Sequence, residues 1–117
     1  MTMIDFACKT FNIENIIKCS LGLTKSEYKI LGFFIDNPEN YFTSEEISKE
    51  LSLNLTTIQK AVKKLKERDI LIRSQENLDN GGYLFNYKLS SKQNIRNIVK
   101  KIIETWSEKV KSSIDSW

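Results

Sequence analysis

Apolar residues recur along this chain with two periods, 3.6 and 2, and the switch between them maps its elements. Between Phe6 and Cys19, Ile13, Ile16 and Ile17 fall at helical spacing with Phe6 and Phe11 upstream, which predicts a short amphipathic helix. Ser20-Leu21-Gly22-Leu23 breaks it. Thr24-Lys25-Ser26-Glu27 then forms a capping box, with Leu23 and Tyr28 placed as a hydrophobic staple across it. The helix so opened carries Tyr28, Leu31, Phe34 and Ile35 on one face and stops at Asn37-Pro38. Asn40-Tyr41-Phe42 suits a minimal strand.

The same signature returns at Thr43-Ser44-Glu45-Glu46, with Phe42 and Ile47 as the staple. This helix runs to about Leu51, Ser52-Leu53 turns tightly, and Asn54 caps a third helix that reaches about Arg68. At about 100° per residue, Ile58, Ala61, Val62 and Leu65 share one face, which must be core. Thr56, Lys60, Lys63 and Lys64 fall opposite, flanked by Thr57 and Gln59. Lysines pair with phosphates, and threonine and glutamine reach base edges, so this face suits the major groove of double-stranded DNA. A solvated surface helix is the plainer alternative. A tight turn before it and a hairpin after it count against that.

The period then becomes two. Ile70-Leu71-Ile72-Arg73 is β-rich, and Tyr83, Phe85, Tyr87 and Leu89 alternate onto one face expected to pack on the helices. Asp79-Asn80-Gly81-Gly82 supplies the positive-φ positions of a tight reversal. The result is a wing over about 71–88, whose arm offers Arg73 and Lys88 to DNA backbone or minor groove. Its tip carries Glu76 and Asp79 and no base, which disfavours deep insertion.

From Ser90 to Trp117 one long helix is expected, with Ser90 and Gln93 as its capping box. Ile95, Ile98, Val99, Ile102, Ile103, Trp106, Val110, Ile114 and Trp117 form its stripe. Val99, Ile103, Trp106, Val110 and Trp117 keep alternating four- and three-residue steps if Ser113 fills the gap, a heptad-like seam. So small a globule cannot cover that stripe alone. A homodimer through Val99, Ile102, Ile103, Trp106, Val110, Ile114 and Trp117 is therefore favoured over a helix folded back on its own domain, and the first helix is expected to join the interface.

Charge sharpens this picture more than composition does. The formal net charge is only +3. From Asp36 to Leu53, however, Asp36, Glu39, Glu45, Glu46 and Glu50 stand against Lys49, a net of −4. From Leu55 to Gln75, Lys60, Lys63, Lys64, Lys66, Arg68 and Arg73 stand against Glu67 and Asp69, a net of +4. A local basic edge of this kind suits phosphate neutralisation. With 117 residues, 40% of them hydrophobic, the chain reads as one soluble domain.

The absent chemistry is informative too. The sequence has no histidine and two cysteines, Cys8 and Cys19. A protein-only zinc site and the histidine-dependent nucleophilic triads are therefore not expected, and no Gly-rich phosphate loop appears. The chain is read as a non-enzyme with no metal and no cofactor. No apolar run spans a membrane and no signal peptide is recognised, so a cytoplasmic protein is expected.

Several of these residues together resemble the archaeal winged-helix transcriptional regulators of the MarR and TrmB type. They are Cys19-Ser-Leu-Gly-Leu-Thr24 leading into Glu27-Tyr28, Ser44-Glu-Glu-Ile-Ser48, Thr56-Thr-Ile-Gln59 with Val62-Lys-Lys-Leu65, and Asp79-Asn-Gly-Gly-Tyr83 followed by Tyr87. The resemblance implies a dimeric repressor or activator whose third helix enters the major groove through Thr56, Thr57, Gln59, Lys60, Lys63 and Lys64. Two positions depart from the pattern: Ser52 and Asp69 stand where glycine is usual, and Asp tolerates the left-handed conformation.

The expected fold is mainly α with a small β-hairpin wing (α+β), a winged helix-turn-helix with N- and C-terminal dimerisation helices. Residues 1–23 form an N-terminal segment at the dimer interface, 24–89 the DNA-binding domain, and 90–117 the C-terminal dimerisation helix. The alternative function is a winged-helix protein-interaction module without specific DNA binding. A disulfide switch between Cys8 and Cys19 is a lesser reading, since buried free thiols are the ordinary state of such cysteines. A small-molecule effector is left open, its identity unreadable, and no membrane partner is expected.

Overall fold

The computed structural model describes residues 2–117. The chain begins with a hairpin of two strands, β1 (Met3–Phe6) and β2 (Lys9–Asn12), paired from Met3 with Asn12 to Phe6 with Lys9. Helix α1 (Ile13–Leu21) follows, then α2 (Lys25–Asp36), α3 (Ser44–Leu51) and α4 (Leu55–Glu67). Strands β3 (Leu71–Asn77) and β4 (Tyr83–Leu89) make a second antiparallel hairpin, and α5 (Lys92–Ser116) closes the chain. Among the described residues the fold is α+β, five helices with two small two-stranded sheets.

Local chemistry explains most of these boundaries. Both capping boxes are formed: Thr24 with Glu27 opens α2, and Thr43 with Glu46 opens α3. Each threonine hydroxyl accepts the glutamate N–H while the glutamate carboxylate accepts the threonine N–H. The Asn54 side chain accepts from the Thr56 N–H at 2.8 Å and starts α4. Between Tyr41 and Thr43 the expected strand reduces to one bridge, in which Phe42 and Tyr87 exchange backbone hydrogen bonds at 2.8 Å. That bridge fastens the wing to the start of α3.

The N-terminus departs from expectation. In place of a helix from Phe6, residues 3–12 form the first hairpin and the helix starts at Ile13. The Asn12 side chain accepts from the Asn15 N–H at 2.8 Å and caps α1. Ile4, Phe6, Thr10 and Phe11 upstream of that cap are residues that favour extended backbone. The cap of α5 also moves by one residue. Ser91 accepts from the Asn94 N–H, whereas the Ser90 N–H is committed to the Ile70 carbonyl and Gln93 to Asn97. At the wing tip only Gly81 takes positive φ, at 89°, because the Asn80 side chain accepting from the Gly82 N–H completes the reversal.

One apolar cluster holds these elements together. Leu21 of α1, Ile30, Leu31 and Phe34 of α2, and Ile47 of α3 meet Ile58, Ala61, Val62 and Leu65 of α4. Ile70, Leu71, Tyr87 and Leu89 close it from the wing side, and Ile95 and Val99 from α5. Each of the larger aliphatic or phenylalanine side chains contributes about 1.5–3 kcal/mol by leaving water. Phe33 and Phe42 stack edge-to-face at 4.7 Å, locking α2 against the entry to α3.

The stripe of α5 is buried only at its start. Val99 is 8% exposed, so that member of the expected dimer seam already lies in the chain's own core. Trp106 is 63% and Trp117 102% exposed. The helix leaves its domain instead of folding back, giving extents of 62 × 27 × 24 Å. Cys8 and Cys19 are both free and exposed, correcting the expectation that they are buried; Cys8 lies in the turn of the first hairpin and Cys19 on α1.

Ser52 (φ 52°) and Asp69 (φ 61°) take the left-handed conformation, closing α3 and following α4. A side chain there costs about 1 kcal/mol relative to glycine. Ser52→Gly is therefore expected to raise stability by about 1 kcal/mol, roughly 4 °C in Tm, measured by thermal unfolding. An unchanged or lower Tm would show that the turn carries no backbone strain.

Candidate nucleic-acid interface

The turn before α4 is held from both sides. The Ser52 N–H donates to the Ser48 carbonyl, and the Ser48 hydroxyl donates to the Leu53 carbonyl at 2.6 Å. With the helix entry so fixed and Ile58, Ala61, Val62 and Leu65 buried, the opposite face of α4 must face solvent. Thr56, Gln59, Lys60 and Lys63 are exposed there, and Thr57 is half-buried at the edge. Among the described residues none of these side chains makes a hydrogen bond or ion pair. They are a free set of hydroxyl, amide and ammonium groups on one rigid element.

Lys64 does not belong to that set. Its ammonium donates to the Gly22 carbonyl at 2.6 Å and pairs with Glu27 at 2.8 Å. Lys64 lies on the flank of α4 turned toward α2, and its long stem reaches the carbonyl end of α1, where partial negative charge gathers. This corrects its placement among the outward lysines. Burial pushes the Glu27 carboxyl up, but the hydrogen bond from Lys64, the Thr24 N–H and the lysine charge outweigh it. Together they hold the carboxyl below its ordinary value of 4.5.

The wing meets the other flank of α4. Arg73 stands opposite Tyr87 and lays its guanidinium over the Phe85 ring at 4.1 Å. Together with Gln59, Lys63, Lys66, Ser44 and Tyr83 it lines an open groove of about 570 Å³ between α4, the wing and the start of α3. Lys66 was missed in sequence, yet its spacing signalled it, since positions 59, 63 and 66 follow helical steps of four and three. Glu45 and Glu67 also line the groove, so three cations face two carboxylates there and its positive charge is modest.

Lys88 is not part of this groove. It pairs with Ile72 on the opposite face of the hairpin, and its ammonium lies over the Tyr41 ring at 5.6 Å. Strand alternation separates Arg73 and Lys88 to two faces, correcting their treatment as one arm surface. The expected inward face of β4 is graded: Tyr87 and Leu89 are buried, Phe85 half-buried, and Tyr83 exposed because the wing runs beyond the helices.

Comparison with known proteins follows the same outline. The family model described as DnaD N-terminal domain matches residues 11–113. A solved structure described as a possible transcriptional regulator from Methanosarcina mazei Go1 is 45% identical, with a TM-score of 0.93, covering 99% of this chain and 97% of that one. The ST1889 protein from the thermoacidophilic archaeon Sulfolobus tokodaii shares the fold at 22% identity and a TM-score of 0.68, covering 83% of this chain and 93% of that one. The uncharacterized protein MJ1503 of Methanocaldococcus jannaschii is 24% identical over 97% of this chain and 84% of its own length. The shared fold is winged-helix-like. Among the described residues no helix is long and apolar enough to cross a membrane.

The Glu27–Lys64 pair yields a signed pH dependence. A carboxyl held below its ordinary value contributes stability that is present above the unfolded value and lost as pH falls through the folded one. Glu27→Gln is expected to cost about 1 kcal/mol at pH 7. The difference from the parent should shrink as pH drops below 4.5. Urea midpoints at pH 7 and at acid pH measure it, and a deficit independent of pH would contradict the ion pair.

Proposed function

This chain belongs to the DnaD N-terminal domain family, and we propose that it is a sequence-specific double-stranded DNA-binding transcriptional regulator acting as a homodimer. The observation that carries the proposal is the free outer face of α4. Thr56, Gln59, Lys60 and Lys63, with Thr57 at the edge, enter the major groove, the lysines on phosphates and the threonines and glutamine at base edges. Arg73 and Lys66 meet the backbone beside the wing. The regulator description of the 45% identical Methanosarcina protein supports this reading. In it residues 24–89 are the DNA-binding part.

Residues 90–117 and the N-terminal segment 1–23 form the dimer interface. Exposure of Ile102, Ile103, Trp106, Val110, Ile114 and Trp117 along one helix supports this assignment. A two-fold dimer requires half-sites about 34 Å apart, or a multiple of that. The MarR- and TrmB-type likeness belongs to this proposal, as the finer assignment within the winged-helix regulators.

Gel shifts at two salt concentrations test the docking. Lys60→Ala with Lys63→Ala is expected to weaken binding to all sequences and to lower the salt slope by about 2 per half-site, about 4 for the dimer on its full site. Gln59→Ala should instead change the preferred sequence, at about 1–3 kcal/mol per altered base contact. Lys64→Ala should lower stability with little effect on the salt slope. A double lysine variant that binds as the parent does overturns the docking, and a parent that binds no DNA at low salt favours a protein-interaction module.

A further inference from the structure

We infer that the groove between α4 and the wing takes an unpaired base of single-stranded DNA, stacked on the Tyr83 ring and the Arg73 guanidinium. This goes beyond the duplex docking, although Lys63, Lys66 and Arg73 serve both readings. Strand pairing sets Asn77 opposite Tyr83, Gln75 opposite Phe85 and Arg73 opposite Tyr87. One face of the hairpin therefore carries aromatic rings beside planar polar groups. Tyr87 is buried and Phe85 half-buried, whereas Tyr83, which also lines the groove, is 58% exposed.

These groups offer stacking surfaces that the chain itself leaves unused. The Tyr83 ring lies 5.1 Å from that of Phe85 and is tilted by 59°, so Tyr83 keeps an aromatic face for another planar group. Arg73 lies over Phe85 at 4.1 Å, and guanidinium planes stack on nucleobases as aromatic rings do. Gln75 donates to Asn77 at 3.2 Å, which leaves the Gln75 carbonyl oxygen and the Asn77 amide nitrogen without partners among the described residues. Both can meet a base edge. The groove's volume of about 570 Å³ lies within the range of about 300–1,000 Å³ that takes a group the size of one nucleotide.

A duplex cannot use the stacking surfaces, because its bases are stacked on one another and present only their edges in the grooves. The charge of the groove points the same way. Lys63, Lys66 and Arg73 share it with Glu45 and Glu67, a net of one positive charge. Duplex DNA carries about one negative charge per 1.7 Å, and a single strand carries about half that density. A modest basic groove beside aromatic platforms is the combination that binds single strands, with stacking supplying much of the affinity.

Fluorescence anisotropy of the full chain with a labelled oligothymidylate about ten nucleotides long tests this site. The parent is expected to bind it, and to bind an abasic strand of the same length about tenfold more weakly. Tyr83→Leu keeps apolar bulk without the aromatic face and should weaken oligothymidylate binding about tenfold, whereas Tyr83→Phe should keep the parent's Kd. Equal binding of the abasic strand by the parent overturns the stacking, whatever the variants do, and so does a folded Tyr83→Leu protein with the parent's Kd. A parent that binds duplex but not oligothymidylate overturns the groove site and leaves the duplex docking standing. A parent that binds oligothymidylate but not duplex keeps the groove and removes the docking.

Discussion

A thirteen-residue helix can bury one face only, and in α4 that face is buried without remainder. Ile58 and Leu65 are wholly inaccessible, and Ala61 and Val62 nearly so. Helices α2 and α3 and strand β3 all dock against this helix, so its rotation about its own axis is set by close packing on several sides. The opposite face has no freedom to turn inward. Four polar side chains displayed without partners among the described residues are the direct consequence, and the candidate interface depends on it. A loosely packed α4 would blur those positions, and recognition of base edges tolerates little displacement.

Electrostatics refine what packing establishes. Three of the four lysines on α4 could be counted as one basic face from their spacing alone, but they divide by task. Lys64 closes the seam between α1 and α2, using one ammonium to satisfy a helix-end carbonyl and a capping carboxylate together. Lys63 faces the wing groove and Lys60 faces open solvent. Arg73 is pre-positioned by the Phe85 ring, which lowers the rotamer entropy it must lose in any contact.

Legibility varied with the range of the interactions concerned. Both capping boxes, the Asn54 cap, the core face of α4 and the span of β4 were readable, because each depends on residues within one or two turns. Ser52 and Asp69 were recognised as glycine-like positions and do adopt left-handed backbone. The N-terminal hairpin was missed because three isoleucines at helical spacing dominated the window and the Asn12 cap went unread. Lys64 and Lys88 were misplaced for a different reason. Their partners, Glu27 and Tyr41, lie 37 and 47 residues away in the chain, and no local pattern reports a contact at that separation.

Periodicity and caps, then, determined by themselves where α2, α3 and α4 start, which faces turn inward, and that the wing follows them. Backbone hydrogen bonding and side-chain burial act over a few residues, so the sequence carries that information locally. Tertiary structure alone decided which charged groups remain free. Lys64 is consumed by a distant ion pair, Lys88 is turned away by strand alternation, and Lys66 is drawn into the groove by the approach of the wing. It also decided that α5 leaves its domain, because whether an apolar stripe is covered depends on the area its neighbours can offer, which no stretch of sequence specifies.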